Sequence, residues 1–235
     1  MRGDVVTSPT GEQIVLVDIG LVELYDDPVV RVWDVSLEPG DCHPWHLHHN
    51  PYVVLSLDGS DGRMDWLDGS EPRFISEYRG GAVYRPVSPV HRLTNIGRTS
   101  YRNRLVELKD LGEHLDQPLD VGPGGRSIQG EPPGAPLPDG RTPVLLHDHV
   151  SIWMAAVGAG EARTLDLAPG PHVVAAIEVE DLAVDPAGGV RPHPGGPLTL
   201  TNPADGERTW FVVELSYLGH LDSLLKDANA EGRRP

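Results

Sequence analysis

The chain has 235 residues, 39% hydrophobic and 23% charged, which is enough apolar material for a packed core and excludes whole-chain disorder. Its 19 basic against 35 acidic side chains give a net charge of −16, which disfavours a nucleic-acid backbone as partner. The 27 glycines and 23 prolines count against helical bundles and coiled coils and favour short strands joined by turns. No run approaches the roughly 18 apolar residues of a membrane span, and Met1-Arg2-Gly3-Asp4 is not followed by the apolar stretch of a secretory signal. Cys42 is the sole cysteine, so neither a disulfide nor a cysteine-based zinc site forms within the chain. The expectation is a cytoplasmic protein with no membrane or nucleic-acid partner.

In chain order, residues 14–17 and 29–37 read as strands rich in β-branched residues, the second closed by Glu38-Pro39-Gly40. Residues 52–57 and 63–67 follow, each ending in an Asp-Gly pair (Asp58-Gly59, Asp68-Gly69) that signals a hairpin turn. Strands are expected over 82–84, 90–94 and 101–108. Turn signals at this spacing indicate an antiparallel all-β sandwich or barrel. Residues 113–141 are rich in Pro, Gly and Asp and read as a linker. Strand patterning resumes over 144–157, 162–167, 173–179, 198–201 and 210–215. A tail over 219–235 includes a short helix near 220–230, with Leu221, Leu224 and Leu225 on one face.

The two halves resemble each other. Leu37-Glu38-Pro39-Gly40 has a counterpart in Leu167-Ala168-Pro169-Gly170, Leu93-Thr94-Asn95 in Leu200-Thr201-Asn202, and Val106-Glu107-Leu108 in Val213-Glu214-Leu215. The last two pairs share one spacing, which indicates a duplication. Gly40 to Asn95 spans 55 positions and Gly170 to Asn202 spans 32, so the second copy lacks about one hairpin. On this alignment His46 and His48 fall opposite Ala176 and Glu178, and His91 opposite Leu198.

Four of the 11 histidines, His43, His46, His48 and His49, fall within seven residues. On a strand, residues two apart share a face. His46 and His48 therefore project together, with Tyr52 in the same parity, while His43 and His49 point away if the strand is regular. Two adjacent imidazoles chelate a divalent transition ion, and His91, just after a turn, is the candidate third ligand. His147 and His149 form the other same-face pair. They lack a third partner and read as surface residues.

Gly40, His46, His48 and Gly59 match in spacing the first motif of the cupin superfamily, and Gly80, Pro86, His91 and Asn95 match the second, with Ser88 in place of a glycine. The chain resembles a bicupin with a metal-binding first cupin and a degenerate second one. The resemblance implies two tandem antiparallel jelly-roll barrels over 10–112 and 142–218, the second smaller or incomplete. It also implies a metal on His46, His48 and His91. Tyr52 stands where the motif has a metal-binding Glu, and is read as a catalytic wall residue or hydroxyl donor, since a phenolate is costly at its ordinary pKa near 10.

The resemblance implies a metal-dependent enzyme acting on a small, anionic organic molecule, with a three-histidine Fe(II) dioxygenase as first reading. Zn, Ni or Mn at the same site implies isomerase, lyase or hydrolase chemistry instead. A non-catalytic small-molecule-binding cupin is the third reading, and a homodimer is left open. Arg85, Arg92, Arg102 and Arg104 are candidates for holding a substrate carboxylate. Cys42 reads as a small buried hydrophobe. Glu107 and Glu214 read equally as structural or catalytic, and Trp33, Trp45 and Trp66 as core or pocket wall.

Overall fold

The computed structural model describes residues 2–112, 128–129 and 135–219, and the chain divides into two compact units, Met1–Gln129 and Gly130–Pro235. Most of the 113–141 stretch read as a linker, and the helix expected near 220–230, lie outside the described residues.

The strands of the first unit are, in chain order, β1 (Val5–Thr7), β2 (Gln13–Val15), β3 (Val22–Asp26), β4 (Val30–Leu37), β5 (Cys42–His46) and β6 (Tyr52–Asp58). They continue with β7 (Asp61–Trp66), β8 (Arg73–Ser76), β9 (Ala82–Arg85), β10 (His91–Asn95), β11 (Tyr101–Leu108) and β12 (Ile128–Gln129). A six-stranded sheet in the order β12-β9-β6-β11-β4-β3 faces a four-stranded sheet in the order β5-β10-β7-β8. β1 and β2 form a separate pair. The core lies between the sheets. Val35, Leu37, Tyr52, Val54, Val83, Tyr101 and Leu105 of the larger sheet meet Ile75 and Leu93 of the smaller one. Full burial of an aliphatic or aromatic side chain contributes about 1.5–3 kcal/mol.

β11 is central because both of its edges are paired, by β4 residue for residue and by β6 with one register shift between Arg102 and Asn103. Arg104 on β11 lies directly opposite Asp34 on β4, and the two form a buried ion pair. Neither charge is left without its counter-charge, the condition under which a buried ion is tolerated.

The Asp58-Gly59 pair does not close a hairpin, since β6 and β7 belong to different sheets. The glycine answers to a crossing instead, as a Cβ on Gly59 would lie 2.4 Å from the Glu77 carbonyl oxygen. β7 and β8 do form a hairpin, around Asp68-Gly69.

The second unit holds β13 (Thr142–Leu146), β14 (Ser151–Val157), β15 (Ala162–Leu167), β16 (His172–Ala176), β17 (Val190–His193), β18 (Gly196–Thr201) and β19 (Arg208–Glu214). Its sheets are β13-β14-β19-β16-β17 and β15-β18. The first order reproduces β3-β4-β11-β6-β9, and the second reproduces β5-β10. The β7–β8 hairpin has no counterpart among the described residues, which accounts for the shorter second copy.

Two asparagines mark the repeat. Asn95 Nδ2 donates to the carbonyls of Leu37 and Thr99, both at 2.9 Å. Asn202 Nδ2 donates to those of Val157 and Gly206 at 2.9 and 2.7 Å. Leu37 and Val157 end the matching strands β4 and β14, so the counterpart of Gly40 is Gly160, and both have positive φ, 90° and 69°. The expected match of Gly40 with Gly170 is corrected, because Gly170 follows β15. Strand pairing corrects the alignment of the histidines as well. His46 pairs with His91 in the first unit, and Leu165 pairs with Leu198 in the second. Leu165, not Ala176, occupies the position of His46, and Leu198 that of His91, as expected. Both leucines belong to the apolar core, so the second barrel carries hydrocarbon where the first carries imidazole.

Candidate metal centre

His46 ends β5 and His91 begins β10, and the two are Cα partners across the antiparallel pair. Directly opposite residues project to one side of a sheet. Their ring centroids stand 4.3 Å apart. His48 lies beyond β5, in the loop that returns the chain to β6, so strand parity does not place it as expected. The loop is fastened to β11 instead. The Pro51 carbonyl accepts the Leu108 N–H at 2.8 Å, and Asn50 Nδ2 donates to Glu107 Oε1 at 3.0 Å. This brings the His48 ring to 5.2 and 5.3 Å from those of His46 and His91. One ring nitrogen of each histidine lies within 4.8 Å of those of the other two, and among the described residues this is the only such group of His, Cys, Asp or Glu.

Proton placement suits a metal. His46 Nδ1 donates to the Pro44 carbonyl at 2.7 Å, and His91 Nδ1 to the Pro89 carbonyl at 2.8 Å. A carbonyl only accepts, so both rings carry their proton on Nδ1 and keep a lone pair on Nε2. Such backbone bonds orient metal-bound imidazoles. His48 Nδ1 is buried without a partner, an orphaned polar atom that a metal or a water would satisfy. All three rings are buried. Burial, with like-charge repulsion from His91 and His43, pushes His46 well below its usual pKa. Burial, with repulsion chiefly from His46 and His91, does the same to His48, and burial pushes His91 down to about 4. The three are neutral at pH 7, the state in which imidazole binds a metal. The donor set therefore fits a divalent transition ion.

His43 does not point away. It is buried, stacks on His46 at 4.3 Å, lines the same cavity and donates from Nε2 to the Asp18 carbonyl. The cause is a β-bulge. Leu93 pairs with His43 and His91 with His46, so two residues of β10 span three of β5, and parity resets. His49 is not among the cavity-lining side chains. His147 and His149 lie near each other, with ring centroids 4.8 Å apart, and no third ligand joins them among the described residues. Cys42 is exposed, a correction to its reading as a buried hydrophobe.

The cavity measures about 30 Å³. Tyr52 forms one wall, stacked on His48 at 3.9 Å. Burial raises its pKa and keeps the phenol protonated, with the Ser88 hydroxyl beside it. Of the four candidate arginines only Arg85 lines the cavity. It is buried and pairs with Glu77 at 3.1 Å. Arg92, Arg102 and Arg104 pair with Asp65, Asp58 and Asp34. Trp66 stands 5.5 Å from His91, Trp33 Nε1 donates to Glu107 at 3.0 Å, and Trp45 lies under Arg92. Glu107 is thus a tether for the His48 loop and for Trp33. Sequence reasoning did not single out Asn103 or Glu77. Asn103 lines the cavity with its Oδ1 buried and unpartnered, and Glu77 accepts from Arg85 and Ser56.

Two antiparallel barrels in tandem, the first with this histidine cluster in its interior, define the bicupin form of the cupin fold. No family model and no curated protein matches the sequence. Solved structures match the chain in fold. The vicilin of Solanum melongena is similar with a TM-score of 0.54 and 9% identity, over 80% of this chain and 74% of that one. YhaK of Escherichia coli is similar with a TM-score of 0.51 and 13% identity, over 84% and 92%. AerE of Microcystis aeruginosa is similar with a TM-score of 0.50 and 9% identity, over 81% and 94%. At these identities the likeness is one of fold.

No helix among the described residues is long and apolar enough to cross a membrane.

Proposed function

We propose that the first barrel holds a divalent transition metal on His46, His48 and His91 and that the protein is a metal-dependent enzyme acting on a small organic anion, with dioxygenase chemistry on Fe(II) as the favoured reaction. The observation that carries this is the convergence of three buried, neutral imidazoles, two with their Nδ1 protons committed to backbone carbonyls.

A bound metal would supply Lewis-acid polarisation of an enolate or carboxylate, and with iron a place for oxygen beside it. The chain's own residues account for the rest. Three neutral donors leave the ion its full charge, which favours an anionic ligand. Tyr52, protonated and against His48, offers a hydroxyl proton into the cavity. Arg85, held by Glu77, adds a fixed positive charge to the wall. Leu93, Val54 and Ile75 line the same space and limit water.

The test is oxygen uptake by the iron-loaded protein over a panel of small enols and carboxylic acids. Substrate-dependent uptake lost in His91→Ala supports the reading. Turnover without oxygen by the zinc, nickel or manganese form points to the isomerase, lyase or hydrolase alternative. No turnover with any metal points to a binding module.

A further inference from the structure

In the first unit β10 is paired on both edges, by β5 and β7, and Ile75 of the β7–β8 hairpin packs against the cluster that contains Val83 and Tyr101. β18, the counterpart of β10, pairs with β15 alone among the described residues. Through strand register, Arg191 takes the position of Val83, and Arg208 that of Tyr101. The space the hairpin would fill is a groove of about 520 Å³, floored by Trp210, Ala176 and Val190 and bordered by Thr199, Arg191 and Arg208. That volume is in the range of small-molecule sites.

A further strand is a poor occupant. The open edge carries Pro197, which has no N–H to donate, and the Thr199 carbonyl already faces Arg191 Nη2 at 3.5 Å. The groove's cations are Arg191 and Arg208, set against the carboxylates of Glu178, Glu180 and Asp185. Arg208 is half-buried and has no side-chain hydrogen bond or ion pair among the described residues. Two of these three carboxylates accept from backbone amides, which fixes where they point. Glu178 accepts from the Thr209 N–H at 2.7 Å, and Asp185 from those of Ala187 and Gly189 at 3.1 and 2.7 Å. Glu180 is exposed.

We propose that this groove is a second small-molecule site, independent of the histidine centre, which binds an aromatic carboxylate with its ring against Trp210 and its carboxylate between Arg191 and Arg208. An indole face accepts a planar ring, and guanidinium groups bind carboxylates through paired hydrogen bonds.

The experiment is calorimetric titration of the full-length protein in excess EDTA, so that no metal draws the carboxylate, with 1-naphthoate and its neutral analogue 1-naphthamide. Naphthoate is expected to saturate below about 1 mM, with naphthamide at least about tenfold weaker. Arg208→Gln is expected to weaken naphthoate by about tenfold, while Arg92→Gln, an equal change of charge on the first unit, leaves it unchanged. The naphthoate-to-naphthamide ratio needs no variant and so survives a folding defect in Arg208→Gln. Absence of saturation by about 10 mM, equal affinity for the two compounds, or loss in Arg85→Gln but not in Arg208→Gln overturns the proposal.

Discussion

His46 and His91 are direct partners across the β5–β10 pair, and each spends its Nδ1 proton on the carbonyl two residues before it, Pro44 and Pro89. The same local bond on two strands presents two Nε2 lone pairs to one cavity. The barrel thus builds two-thirds of the donor set from strand register, and the third donor, His48, from a loop.

That loop depends on its tether. Asn50→Ala removes the bond to Glu107 and frees the segment that carries His48. Metal affinity is expected to fall about tenfold, the effect typical of groups that orient metal ligands. Competition titration against a chromophoric chelator measures it. Unchanged affinity would show that the loop holds its shape without Glu107.

The metal-free protein should lose stability in acid. His46, His48 and His91 have folded pKa values depressed below 6.5, so the unfolded chain binds more protons than the folded one once the pH falls beneath that value. Stability is fully present above pH 6.5 and declines as the pH drops through the folded values, with His91, at about 4, contributing about 3 kcal/mol. Urea unfolding in EDTA between pH 7.5 and 4 reads this directly. A flat profile from this region would contradict the burial of neutral imidazoles.

Tyr52 separates metal binding from turnover. Tyr52→Phe should keep the metal and lower kcat by about 100-fold if the hydroxyl supplies a proton. Tyr52→Glu places a carboxylate beside His48 and should tighten metal binding while blocking a coordination position. Equal kcat in Tyr52→Phe and the parent would reduce Tyr52 to a wall.

Asn95→Ala breaks the buried contacts to Leu37, Thr99 and Ser60. Its cost is expected to be about 2 kcal/mol, because the Leu37 carbonyl loses this donor while the Thr99 carbonyl still accepts from the Ser60 hydroxyl at 3.0 Å. Asn202→Ala should cost a similar amount, and thermal unfolding compares the two.

The duplication and the histidine set were legible because both rest on spacing. Leu-Thr-Asn and Val-Glu-Leu recur at one separation, and Tyr101–Leu108 is a strand over the expected residues. His43 was misplaced because a bulge resets parity and leaves no mark in the residue types. The strand Arg73–Ser76 alternates half-buried and exposed residues over four positions, too short for a pattern to stand out. Glu77 and Asn103 carry no local motif. They reach the cavity through pairings with distant strands, which a single sequence does not show. Gly59 misled because an Asp-Gly pair also serves where two backbones cross.

Elemental analysis of protein purified without added metal reads the three-histidine metal centre itself. The parent should carry about one transition-metal ion per chain. His46→Ala, His48→Ala and His91→Ala should each lose it while keeping the β-sheet circular dichroism of the parent, and His147→Ala and His149→Ala should retain it. A His91→Ala protein that keeps its full metal content would contradict the account.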